Sequence, residues 1–264
     1  MKRFLAWAVL SYLVVAAASA DGQRPVVVEL YTSQGCGTCV SADKLLDKLA
    51  DRRDILAMSL PVTYWDMLGW KDTLATEANT WRQKAYAKAM GRGAVYTPQM
   101  IVDGAIDVVG SRVDEVKKAL DAETAAAKAC RNVRSQSHQD GCPCSVAVGV
   151  TARRSDRLRI AIPAATEGCR KAKPDATVWV FFLRDSAKVK VEGGENKGQV
   201  LKYRNLVVGI TSAGAWRGDP VSFTVPAATK FIEPGGVAVV VQQGGYGRVL
   251  GAAYLPGLEY YAKQ

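Results

Sequence analysis

The sequence predicts an α/β domain followed by a mostly antiparallel, β-sandwich-like domain. Three observations carry this. A β-branched run at 26–31, Val-Val-Val-Glu-Leu-Tyr, is bounded by Pro25 and reads as a buried strand, and Ala42, Leu45, Leu46 and Leu49 soon follow at helical spacing. Between strand and helix, Ser33-Gln34-Gly35-Cys36-Gly37-Thr38-Cys39 sets two cysteines where one element turns into the other. From Cys144 onward, short alternating apolar segments separated by Gly- and Pro-rich turns take over, the pattern of an antiparallel sandwich.

Residues 1–20 read as a secretory signal: Lys2 and Arg3 are the basic start, 4–18 is apolar, and Ala18-Ser19-Ala20 is a small-residue cleavage site. The apolar stretch is short for a bilayer span, so the mature chain is expected to begin at Asp21, without a membrane span, in the periplasm or outside the cell. The first domain covers 21–130, a polar linker 131–141, and the β-rich domain 142–264. The net charge of +10 falls by two when Lys2 and Arg3 are removed. The basic residues are dispersed and no nucleic-acid motif accompanies them, so a solvated basic surface is expected rather than a nucleic-acid partner. His138, the sole histidine, lies in the linker, which argues against a His-based triad or a multi-His metal centre.

In the helix after the cysteines, Asp43, Lys44, Asp47 and Lys48 fall on the side away from the apolar stripe. A second buried strand at 55–60 is closed by Pro61. Residues 76–90 read as a helix with Ala78, Trp81, Ala85 and Ala89 on one face and Gly91 as the stop. Strands at 99–102 and 106–109 are joined by Asp103-Gly104, a hairpin signal, and a helix opening on Ser111 and Asp114 carries Val113, Val116 and Leu120 inward. In the second half, strands are expected around Val146, Val148 and Val150 and at 158–162, 178–183, 188–191, 200–208, 221–225, 237–242 and 249–254. Gly193, Gly194 and Gly198, around Glu195, Asn196 and Lys197, read as a loop connection.

The Cys-x-x-Cys pair carries the chemistry. Backbone N–H groups and the dipole at a helix start stabilise a thiolate, lowering a thiol pKa from about 8.5 to roughly 3.5–7.5. An accessible Cys36 then attacks a disulfide and Cys39 resolves the mixed disulfide. A structural disulfide and half of a metal site are the other readings; with no second Cys-x-x-Cys to complete a zinc site, no metal is assigned. Of the remaining cysteines, Cys142 and Cys144 are too close for a relaxed bridge to each other. Separate bridges to Cys130 and Cys169 would staple the domain junction, in a pairing sequence cannot choose; a four-thiolate metal site or a second redox relay are the alternatives.

The order strand, Cys-x-x-Cys, helix, strand, helix, hairpin, helix resembles the thioredoxin fold, and Thr97-Pro98 stands directly before the hairpin. The resemblance implies that 21–130 is thioredoxin-like, that Pro98 is cis, and that the Thr97 backbone docks an extended substrate segment; an ordinary trans proline before an edge strand is the alternative. It also implies a role for Glu29, near the place where thioredoxins bury an acid behind the resolving cysteine. A buried Glu29 would shuttle the Cys39 proton, whereas a Glu29 at a strand end would face solvent. The blocks 29–39, 64–72, 96–104 and 194–207 resemble an exported bacterial family of thioredoxin-like proteins of unknown function. The chain departs from thioredoxin in having Gly37-Thr38 between the cysteines and no Trp before Cys36. Trp65, Asp66, Trp70 and Lys71 either line a substrate cleft beside the cysteines or plug the core under a loop. The expectation is an exported thiol–disulfide oxidoreductase or thioredoxin-like redox protein, without a cofactor, whose partner is a protein thiol or disulfide of the cell envelope and whose β-domain recruits that partner. A non-catalytic binding or assembly protein with a permanent disulfide is the alternative, followed by a copper(I) chaperone.

Overall fold

Two sheets organise the chain, and the larger runs through both halves. In the computed structural model the described residues are 14–16, 24–134, 146, 148–152, 157–171, 173–226 and 235–256. In order, the elements are β1 (Val14–Ala16), β2 (Val26–Thr32), α1 (Cys39–Leu49), β3 (Ile55–Pro61), a 3-10 turn (Thr63–Trp65), α2 (Glu77–Ala89), β4 (Gln99–Val102), β5 (Ile106–Val109) and α3 (Val113–Arg134). The second half holds β6 (Gly149–Ala152), β7 (Arg157–Ile162), α4 (Glu167–Lys171), β8 (Ala176–Lys190), β9 (Val200–Trp216), β10 (Val221–Pro226), β11 (Val237–Gln243) and β12 (Val249–Leu255). The eight-stranded sheet has the order β12-β11-β8-β9-β3-β2-β4-β5; the four-stranded one is β1-β6-β7-β10. Most pairings are antiparallel, with β2–β3 and β3–β9 parallel.

The halves meet edge to edge at β3 and β9. Ser59 is paired with Leu206, its Oγ donates to Arg204 O, and Asn205 Nδ2 donates back to Ala57 O. One face of the large sheet carries α1 and α3 over Val26, Val28, Leu30 and Met100. The four-stranded sheet packs on Val178, Val180, Val237 and Val239 through Leu158, Ile160 and Ile162. The other face gathers Val27, Tyr31, Met58 and Ile101 from the first half with Phe181, Val207 and Val240 from the second, around Tyr86 of α2. The sheet curls until the turns of its two outer hairpins, β4–β5 and β11–β12, touch. Val249 N–H donates to Asp103 O, and Gly104 (φ +67°) lies so close to Gly247 that an added Cβ would sit 2.1 Å from its carbonyl oxygen.

Several expectations change. The two strands expected at 178–183 and 188–191 are one strand, β8, and β9 extends eight residues past the expected 208. Together they form a long hairpin whose polar outer part lost its apolar alternation because it leaves the sandwich. α3 continues through Arg134 into the expected linker; 135–141, His138, Cys142 and Cys144 lie outside the described residues, as does the Cys130 side chain. Most of the expected signal segment also lies outside them, while Val14–Ala16 pairs with Val150–Ala152. Among the described residues, no helix is long and apolar enough to cross a membrane.

The α2 face is reversed: Trp81 is 65% exposed, whereas Asn79, Arg82, Gln83 and Tyr86 are buried. Val113, read as inward, opens α3 in an exposed position. The reversal of α2 has an electrostatic cause. Arg82 Nε and Nη2 donate to Glu29 at 2.6 and 2.8 Å, and Nη2 also donates to Gln242 Oε1 at 2.9 Å. Tyr31 and Tyr86 hydroxyls donate to the same carboxylate. Phe181, Tyr86, Trp179 and Tyr246 rings surround the guanidinium at 4.8–5.6 Å. Burial alone would lower the Arg82 pKa, and the Glu29 carboxylate, together with Tyr86 and Tyr31, more than reverses that. Glu29→Gln should therefore strand a buried cation and cost about 3–5 kcal/mol in denaturant unfolding, whereas a double Glu29→Leu, Arg82→Met replacement should recover most of that loss.

Candidate functional site

β2 ends at Thr32 because the next residues make a turn that bonds to itself. Cys36 N–H donates to Ser33 O at 3.1 Å, Cys39 N–H to Cys36 O at 3.1 Å, and Gly35 N–H to Ser33 Oγ at 3.1 Å. α1 starts on Cys39, so Cys36 stands on the turn ahead of the first helical residue, and the two are joined as a disulfide with Cα atoms 5.4 Å apart. Thr38 supplies no side-chain cap and the first helical turn has no acidic residue. Apart from the Thr38 hydroxyl, 3.5 Å from Cys36 Sγ, the polar surroundings of the helix start are brought to it by other segments.

Two segments do so. From the first half, Asp72 accepts from Gln34 N–H at 2.8 Å, and Trp70 Nε1 donates to Gln34 Oε1 at 2.8 Å. Asp66 accepts from Asp72 N–H at 3.0 Å and so braces this loop; Lys71 is exposed. Trp65 lies against Gly35, and its Nε1 donates to Thr97 Oγ1 at 2.8 Å. The Thr97–Pro98 peptide is cis, and pairing of Gln99 with Tyr31 sets it beside the end of β2, where the cysteine turn departs. From the second half comes the tip of the β8–β9 hairpin. Asn196 Nδ2 donates to both Gln34 O and Cys36 O at 3.0 Å, and Glu195 Oε2 accepts from Gly37 N–H at 2.7 Å. Gly193 allows the approach: a Cβ there would lie 2.6 Å from Gly69 O. The sulfurs are consequently covered. Cys36 is 1% exposed and Cys39 0%, where the sequence led us to expect an accessible sulfur.

Glu29 is not behind Cys39. Strand alternation puts it with Val27 and Tyr31 on the α2 face, while α1 packs on the Val26, Val28 and Leu30 face. The acid near the cysteines is Asp43, one helical turn after Cys39 and therefore on the same side of α1. It was expected on the solvent side; instead the distal hairpin covers it, with Val191, Leu201 and Tyr203 packing on Val40, Trp70 and Leu74. Lys202 and Arg204 pair with Asp47 on the same flank. Burial pushes Asp43 from 3.8 up to about 8, and Asp72 adds to the rise. The nearby Thr32 hydroxyl pulls the other way without forming a well-aligned bond, so neither Asp43 oxygen has a hydrogen-bond partner among the described residues. Tyr203, whose hydroxyl is also unpartnered among them, is raised by burial and then by Asp43 and Asp72. Burial likewise raises Asp72, against the N–H bonds from Gln34 and Leu74.

Of the residues singled out in the sequence, Cys36, Cys39, Trp65, Thr97 and Pro98 come together; Asp66 braces a loop, and Glu29 joins a separate network. Cys169 is buried and disulfide-bonded. Asp43, Asp72, Tyr203, Glu195 and Asn196 were missed as a group, although the blocks 64–72 and 194–207 that hold most of them stood out as motifs. Among the described residues, no three His, Cys, Asp or Glu side chains gather in a way that could hold a metal ion.

Fold and site define a mixed α/β protein with a large, mostly antiparallel sheet and a covered Cys-x-x-Cys disulfide at a strand-to-helix turn. Residues 27–242 match the family described as a protein of unknown function (DUF1223), and the chain belongs to that family. The X-ray crystal structure of a protein from Agrobacterium tumefaciens is similar, with 32% identity and a TM-score of 0.70, over 88% of this chain and 94% of that one. HBP35 of Porphyromonas gingivalis shares the fold at 13% identity and a TM-score of 0.54, over 88% of this chain and 74% of that one. None of the curated proteins matches the chain.

The buried Asp43 makes a pH prediction. The folded chain keeps this proton up to about 8 while the unfolded chain loses it near 3.8, so stability falls as pH rises through that interval and then levels off. Asp43→Asn should flatten the fall, with a gain on the order of a few kcal/mol at alkaline pH and little change at acid pH, read from urea unfolding across a pH series.

Proposed function

We propose that the chain is an exported thiol–disulfide exchange protein whose first half is thioredoxin-like, acting through Cys36 and Cys39 on a protein thiol or disulfide of the cell envelope. The observation that carries the reading is the disulfide between two cysteines three residues apart, on a turn that leads from a buried strand into a helix start. The position of Thr97–Pro98 beside that turn supports it, as does the buried acid on α1. The leader-like composition of 1–20 supports export.

In the reduced form, the helix start favours the Cys36 thiolate, which attacks one sulfur of a substrate disulfide. A mixed disulfide forms and the other substrate sulfur leaves as a thiolate that takes up a proton. Cys39 then attacks the Cys36 sulfur, releases the second substrate thiol and restores the internal disulfide, so two electrons pass to the substrate. The Cys39 proton goes to Asp43 in the ionised fraction of molecules, a fraction that grows as pH approaches about 8, because burial brings this carboxyl close to a thiol in acidity. The same steps run backwards when the substrate is a dithiol. Substrate access requires the hairpin tip and Trp65 to move aside, since neither sulfur is exposed.

That burial favours a second reading, a permanent staple on a binding or assembly scaffold. The two separate cleanly. If exchange is the function, mild dithiol reduces the Cys36–Cys39 bond in the folded protein, and the Cys39→Ala variant accumulates a mixed disulfide with protein partners that Cys36→Ser does not. A bond that resists reduction until the chain unfolds, with no adduct on Cys39→Ala, establishes the staple instead.

A further inference from the structure

The hairpin tip does more than cover the cysteines: it brings a carboxylate to the one turn where a thiolate has to form. Its docking is specific. Gln199 Nε2 donates to Asn196 Oδ1, orienting the amide that then bonds Gln34 O and Cys36 O, and Asn196 is 1% exposed. Gly194 (φ +68°) turns the tip beside Trp70, with the Trp70 Cβ only 3.2 Å from where a Gly194 Cβ would stand. This fixed geometry delivers Glu195 to Gly37, between the two cysteines, at 2.7 Å.

We infer that Glu195 is a positioning residue that makes Cys36 a weaker acid than the helix start alone would make it, and so keeps the cysteine pair on the reducing side. The inference rests on the exchange reading above and gives it a direction. Two effects have the same sign. The Gly37 N–H lies on the turn between the two cysteines, just ahead of the helix, and is a backbone donor that Glu195 takes up before a thiolate could use it. The carboxylate also places a negative charge next to the turn, which opposes a second one on Cys36. The remaining ionisable groups around the turn are mostly acids, and its two lysines make no ion pair with Glu195 among the described residues. Asp72 and Asp66 lie in the loop bonded to Gln34, Asp43 is on α1, and Tyr203 is on β9; Lys71 and Lys197, on the loop and the tip, are exposed. A thiol pair whose thiolate is less stabilised gives up its electrons more readily, which suits reduction of a protein disulfide. The pair emerges oxidised, and a reducing dithiol donor must restore it.

The test uses the mature chain with Glu195→Gln, which keeps an oxygen for Gly37 N–H and removes only the charge. Thiolate absorbance of the reduced protein, taken as the difference from Cys36→Ser, gives the Cys36 acidity; equilibrium with dithiol buffers gives the reduction potential. Glu195→Gln is expected to raise the Cys36 thiolate-to-thiol ratio about threefold to tenfold at a fixed pH near the pKa, a shift of about half to one pKa unit. It should also make the pair correspondingly more oxidising, with a difference that shrinks in high salt because Glu195 is exposed. Equal acidity and equal potential in the two proteins overturn the inference, as does a change of the opposite sign. Failure of the exchange reading would appear elsewhere, as absence of the Cys39→Ala adduct with the acidity shift still present.

Discussion

The Glu29–Arg82 ion pair is the constraint around which the two halves are built. A fully enclosed charge pair is tolerable only when geometry and hydrogen bonding are nearly complete. The pair draws on every side: β2 supplies Glu29 and Tyr31, α2 supplies Arg82 and Tyr86, β11 supplies Gln242, and rings from β8 and the β11–β12 turn enclose the cation, leaving Arg82 Nη1 without a hydrogen-bond partner among the described residues. The first half supplies every bond to Glu29, and the second half supplies Gln242 and most of the rings around Arg82. The continuous sheet and the curl that brings Val249 to Asp103 follow from the same demand, because they carry the second half's contributors onto the α2 face.

Once the second half is anchored in this way, the β8–β9 hairpin has a defined direction in which to overhang. It leaves the sheet at β3, crosses α1 with Tyr203, Lys202 and Arg204, and ends on the cysteine turn with Asn196 and Glu195. The candidate site is therefore composite. Its sulfurs and its Trp65–Thr97 wall come from the first half, whereas its cover and one of its charges come from a segment more than 150 residues later. This gives the β-rich half a role inside the site, beside any role in recruiting a partner.

The parts legible in the sequence were those fixed by neighbours close in the chain. The run at 26–31, the turn at Asp103-Gly104 and the alternation at 237–242 each declare a local geometry, and the cysteine spacing declares its own bond. What escaped depends on distant partners. A helical repeat states which residues share a face but not what covers the other faces. Asp43 and Asp47 therefore read as solvated until β9 lay over them, and Ala78, Trp81, Ala85 and Ala89 read as the packed face of α2 until Arg82 turned inward to Glu29. Glu29 itself was misplaced although the information was local, since its alternation with Val28 and Leu30 already sets it opposite the α1 face. The long hairpin was divided in two because Arg184, Asp185 and Ser186 interrupt an apolar count that only a sandwich core obeys.

The edge-to-edge seam also bears on how the chain is made. Arg82 and Gln242 are 160 residues apart, so at a synthesis pace of about 5–20 residues per second roughly 8–30 s separate the emergence of the two. For most of that interval, until Val200–Trp216 follows, the β3 edge has no β9 beside it, and an open strand edge is the feature by which incomplete chains mispair. The hairpin tip, one part of the shield over the sulfurs, leaves the ribosome late, so the nascent protein presents these atoms less covered than the finished one does.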